Sequence, residues 1–131
     1  MPLMNLLLIV SAIAGFGCAI GHSYLSERFI LRPLFAKSAG NRILESPINR
    51  RLMYAMWHLP SIAWSIVAAA TLWLALSPTM FDATARTLLL SFGIGIYMPA
   101  ALWNAIAFRG PHVGNILLTI ASLTLWFGVN G

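Results

Sequence analysis

Charge is what this sequence has least of. Eight Lys/Arg and three Asp/Glu among 131 residues make it 8% charged, where a soluble domain carries about 25%. So few charges cannot give a body of this size a polar skin, so the solvent around most of the chain must be lipid. Cysteine is nearly absent as well. Cys18 stands alone, which excludes an internal disulfide and any Cys-x-x-Cys zinc or redox pair. There is no carboxylate dyad and no glycine-rich phosphate loop. Cys18 has only His22 a turn away, which reads as packing rather than a nucleophile with its base. Acid is scarcer than base, giving a net charge of +5. In so apolar a chain that excess records membrane orientation, so nucleic acid is not an expected partner.

What is present is hydrocarbon: 60% of residues are hydrophobic and the mean hydropathy is +0.83. Roughly 20 apolar residues cross a bilayer as a helix, and four segments qualify: about 3–22, 52–76, 83–108 and 112–130. Strand alternation is missing, which excludes a barrel. Ser46-Pro47 predicts an N-cap with proline in the first turn, Ser77-Pro78 closes the second span, and Asp82 is placed to cap the third. Arg109-Gly110-Pro111 predicts a tight turn between spans three and four, with Gly110 in the left-handed cap position. The first span has no basic residue before it, so it reads as a retained helix rather than a signal peptide.

The fold expected is a single all-α transmembrane domain, residues 1–131, built as an antiparallel up-down four-helix bundle. Seven of the eight basic residues lie on the side reached after spans one and three, against Arg86 alone on the other. By the positive-inside rule both termini face outward. The chain is then a multi-pass protein of the bacterial inner membrane, with periplasmic termini and a cytoplasmic interfacial loop over 23–51, broken at Pro33. Trp57 and Trp103 would mark the inner interface, Trp73 and Trp126 the outer, and Trp64 lies at mid-span.

Polar residues inside spans carry the remaining information, because each needs a partner away from lipid. Ser11, Gly15, Cys18, His22 and Ser26 share one face of the first span, and Arg51, Tyr54, His58, Ser61 and Ser65 one face of the second. Gly93, Tyr97 and Asn104 do so in the third; His112, Asn115, Thr119, Ser122 and Trp126 do so in the fourth. Such seams hold membrane bundles together, and Ser11, Gly15, Ser61, Ser65, Asn104, Asn115 and Thr119 are expected to serve packing. Pro60 and Pro99 should bend spans two and three. Asp82 and Arg86 stand four apart and are expected to pair.

The three histidines need more. His22, His58 and His112 all fall at the basic end, with Glu27 nearby. Three imidazoles and a carboxylate would suit a zinc, iron or copper site, or an axial pair for a b-type haem. No His-x-x-x-His spacing supports it, and Glu27 lies five residues from His22, about 140° around the helix. The same end gathers Arg28, Arg32, Arg50, Arg51 and Arg109, expected to hold Glu27 and to meet anionic headgroups, or a phosphate- or carboxylate-bearing substrate bound against Arg51 and His58.

The runs Gly21-His22-Ser23-Tyr24-Leu25-Ser26-Glu27-Arg28, Leu31-Arg32-Pro33-Leu34, Trp57-His58-Leu59 and Arg109-Gly110-Pro111-His112 together resemble a family of small, uncharacterised bacterial four-helix membrane proteins. In that family a His-Ser-x-x-Gly-Glu pattern ends the first helix, and here Ser26 replaces the glycine. The resemblance implies that His22, Glu27, His58 and His112 form one signature, and it carries no activity with it. Three functions follow from the residues: a metal- or cofactor-binding bundle, an accessory subunit of a larger membrane complex, or a permease working as a homo-oligomer. Beyond these, the lipid bilayer is the expected partner.

Overall fold

The structure is a computed structural model that describes residues 2–130. It is all-helical among the described residues. Helix α1 spans Leu3–Ser26 and continues through a π turn, Glu27–Leu31, into α2, Arg32–Ala36. A short α3 (Arg42–Glu45) leads to α4 (Pro47–Leu76), α5 (Ala83–Phe108) and α6 (Val113–Asn130). Four of these helical stretches are long and apolar enough to cross a membrane: Leu3–Ala36, Pro47–Leu76, Ala83–Phe108 and Val113–Asn130.

The helix ends follow local chemistry. Asn41 caps α3, accepting from the backbone N–H groups of Ile43 and Leu44. Ser46 caps α4 through the N–H of Asn49, with Pro47 in the first turn. Asp82 caps α5 through Ala85, at 2.7 Å. Each side-chain oxygen satisfies a backbone donor that the first turn leaves unpaired.

Four local expectations are corrected. Pro33 does not break the first helix, which runs to Ala36. The π turn just before it bonds the N–H of Arg32 to the Glu27 carbonyl, five residues back. That wider turn accommodates a ring that would strike the carbonyl four residues earlier in a regular α-helix. The left-handed residue ending α5 is Arg109, φ 52° and ψ 34°, not Gly110. Arg109 and Gly110 then donate their N–H groups to Ile106 and Ala105, closing the helix. Arg86 does not pair with Asp82. Its guanidinium reaches back to the carbonyls of Pro78 and Phe81, at 2.8 and 3.2 Å, because Asp82 is committed to its cap. Finally, Thr119 and Trp126 lie exposed beside the buried face of α6, which runs Asn115, Leu118, Ala121, Ser122, Leu125, Gly128. Thr119 satisfies its hydroxyl on the Asn115 carbonyl of its own helix at 2.8 Å, so nothing requires it to face the core.

Helix α1 is the centre of the packing, with α4 along one side and α6 along the other. Against α6, Ser11 donates to the Ala121 carbonyl at 2.7 Å and Cys18 approaches that of Gly114 at 3.7 Å. Against α4, Gly15 faces Ala68 and Ser23 meets His58. In both pairs residue numbers rise along one helix as they fall along the other. Helix α5 rests on α6, with Leu125 against Gly93, and touches α4 where the fully buried Tyr97 donates to the Trp64 carbonyl at 3.1 Å. Small residues set these approaches: a Cβ on Gly15 would collide with the Tyr97 hydroxyl, and one on Gly128 would sit 2.8 Å from Leu8. Close backbone contact of this kind is how apolar helices associate where lipid offers no hydrophobic gain.

Candidate functional site

The expected site residues fall on two separate structures. On the first, α1 and α4 exchange side chains in a ladder. His22 Nδ1 lies 3.0 Å from Ser61 Oγ, and one residue on, Ser23 Oγ lies 3.0 Å from His58 Nδ1. Each helix gives one histidine and one serine, and each pair shares a single hydrogen. His22 also meets Trp64 edge-on, with ring centroids 5.1 Å apart. The next rung joins Tyr54 and Glu27: the phenol donates to Oε2 at 2.5 Å while Arg32 Nε donates to Oε1 at 2.8 Å. The Tyr54 ring packs near those of Phe35 and His58, each with its centroid 5.7 Å away.

Glu27 therefore takes one arginine through one nitrogen, not several through bidentate forks. The π turn explains the choice, since its wider pitch brings residue 32 onto the face of residue 27. Arg50 donates to the Leu44 carbonyl and to Ser38 Oγ, both at 2.5 Å, and its guanidinium lies over Phe35 at 5.5 Å. It is a clamp on the α2–α3 connection. Arg28 lies over the neighbouring Phe29 ring at 6.0 Å. Arg28 and Arg51 make no hydrogen bond or ion pair among the described residues, and both are exposed.

His112 belongs to the second structure, the turn between α5 and α6. Its Nδ1 accepts from the Gly114 N–H at 3.1 Å, and its ring stacks on Phe108 with centroids 4.2 Å apart. Asn115 closes the same turn: Oδ1 accepts from His112 N at 2.8 Å and Nδ2 donates to the Gly110 carbonyl at 3.1 Å. Asn115 is thus a cap on its own helix rather than a bond between helices. Asn104 is half-buried, its amide packed near Gly114. Ser61 fills its expected place between α1 and α4, and Ser11 and Gly15 hold α1 to its neighbours.

His22, His58, His112 and Glu27 do not converge. Among the described residues no three His, Cys, Asp or Glu side chains are grouped as a metal ion requires. Their contacts are local instead: serine hydroxyls meet Nδ1 of His22 and of His58, a backbone amide donates to Nδ1 of His112, and Arg32 and Tyr54 hold Glu27. The four therefore do not supply one ligand set for a metal ion.

The concave feature at this end is a groove of about 760 Å³ between α1 and α4. Phe16, Ile20, Ile62 and Ile66 wall it, while Ala19, Ser61, Ser65 and Ala69 line it with short side chains. Ser23, Tyr24 and His58 close its polar end. Ser23 and Tyr24 are the residues sequence reasoning passed over. For Ser23 the signal was the register: His22-Ser23 on one helix against His58-x-x-Ser61 on the other can pair reciprocally only if the two run in opposite directions; Tyr24 carried none.

No protein-family profile, no curated protein and no solved structure matches this chain.

Proposed function

We propose that this chain is a multi-pass protein of a bacterial inner membrane, an antiparallel up-down four-helix bundle with both termini outside, whose task is binding at its basic end. The ligand bears a phosphate or carboxylate and sits against His58 and Tyr24, with Arg28 and Arg51 beyond. The observation that carries this reading is the polar end of the α1–α4 groove, where His58 and Ser23 meet at 3.0 Å. Arg28 lies one turn from Tyr24 and Arg51 two turns from His58, and neither guanidinium makes a hydrogen bond or ion pair among the described residues. Two guanidinia with no carboxylate partner favour an anion, and their planar donors suit its oxygens. The cationic side matches the cytoplasmic side by the positive-inside rule.

The test uses the full chain in discs of zwitterionic lipid, titrated with ethyl phosphate at low salt. The His58 ring proton signal should shift saturably. The shift should be lost in the double variant Arg28→Ala/Arg51→Ala and weaken as salt screens the attraction. A His58 signal that does not respond overturns the assignment.

A further inference from the structure

The groove extends well past its polar end, and its dimensions say what sort of molecule belongs there. From His58 to Ala69 it follows α4 for eleven residues, about 16 Å at 1.5 Å per residue. That is about half of a 30 Å hydrocarbon layer, the depth of one leaflet. Ala19, Ser65 and Ala69 form the floor of this shallow, open groove, and Phe16, Ile20 and Ile66 rise beside it. It opens sideways, on the face of α1 and α4 turned away from α5 and α6. An occupant therefore enters from the bilayer rather than from water.

We propose that the ligand is a long-chain anionic amphiphile, its head at His58 and Tyr24 and its hydrocarbon chain lying in the groove between α1 and α4. This rests on the anion-binding reading above and gives it a substrate class. Three observations point the same way. The channel is apolar along the depth of one leaflet, it becomes polar where the interface should lie, and positive charge follows beyond. An amphiphile in the adjoining leaflet has the same order of parts along the same axis. Soluble anions have nothing to place in the channel, and neutral hydrocarbons leave the arginines unmatched.

The experiment uses the full chain in discs of zwitterionic lipid containing a trace of hexadecyl phosphate with a photoactivatable diazirine in its chain. After irradiation the labelled residues are mapped by peptide mass spectrometry. Label should concentrate at Phe16, Ile20, Ile62 and Ile66 over the lipid-facing Leu123 and Phe127 of α6. Arg28→Ala/Arg51→Ala should lower it about tenfold, as loss of a charge-assisted hydrogen bond does. Filling the channel with Ala69→Phe, or separately Ala19→Leu, should abolish the preference. Leu123→Phe on the exposed side of α6 should not. Even labelling around all helices, with the His58 response to ethyl phosphate intact, overturns the amphiphile and leaves the anion site standing. Even labelling without that response overturns both.

Discussion

Gly15 shows how much of this molecule depends on the absence of a single methyl group. A Cβ there would run into the Tyr97 hydroxyl and lie 3.1 Å from the Ala68 methyl. Gly15→Ala should cost about 1–3 kcal/mol, the usual penalty of overpacking, read as earlier unfolding when SDS is titrated into mixed micelles. Adding Tyr97→Phe should recover part of the loss, because the phenol oxygen is the nearest obstacle. Arg109 works in the opposite sense. It holds φ at 52°, where an L side chain is strained, so Arg109→Gly should stabilise by about 1 kcal/mol in the same titration. The sequence offered Gly110 for that position, and pattern alone cannot choose between adjacent residues when the neighbouring hydrogen bonds set the helix end.

At the scale of elements, the continuation of α1 is the part that spacing failed to reveal. Proline after an apolar helix reads as a stop, yet the π turn over Glu27–Leu31 carries the helix past Pro33. It also turns Arg32 toward Glu27, a pairing five residues apart that α-helical periodicity does not allow for. Beyond it the connection to α4 depends on Arg50, whose guanidinium reaches Leu44, Ser38 and Phe35 at once. Lysine has one compact ammonium in place of that planar fork. Arg50→Lys should therefore speed backbone hydrogen exchange across residues 38–45 while leaving exchange in α5 and α6 unchanged.

For the whole molecule, four long apolar helices were legible from composition and span length alone. So were the buried faces of α1 and α5, where Ser11, Gly15, Cys18, Gly93 and Tyr97 recur at steps of three and four, whereas in α4 and α6 apolar residues such as Val67, Leu74, Leu118 and Leu125 form most of the buried face. What composition could not show was which polar groups pair. His22, His58 and His112 share an end of the chain in sequence, but their partners are set by the lateral order of helices: α1 has α4 on one side, and α6 on the other. Orientation is the remaining whole-molecule expectation, and labelling reads it directly. In a Cys18→Ala background, Thr79→Cys should react with an impermeant maleimide on intact spheroplasts, and Ala39→Cys only after permeabilisation. The reverse pattern overturns the assigned sidedness.

The helices also differ in length: Leu3–Ala36 has 34 residues and Val113–Asn130 has 18, about 51 and 27 Å of rise. They cannot slide apart to suit the bilayer, since α6 is pinned to α1 at two levels, Gly128 against Leu8 and Gly114 against Cys18. The two therefore meet the bilayer as one body. A mismatch with the hydrocarbon layer should then be met by tilting the pair or deforming the lipid around it, not by sliding one helix past the other. Beyond Ser26 that first stretch carries Arg28 and Arg32, both exposed, so its extra length is expected at the surface of a bilayer.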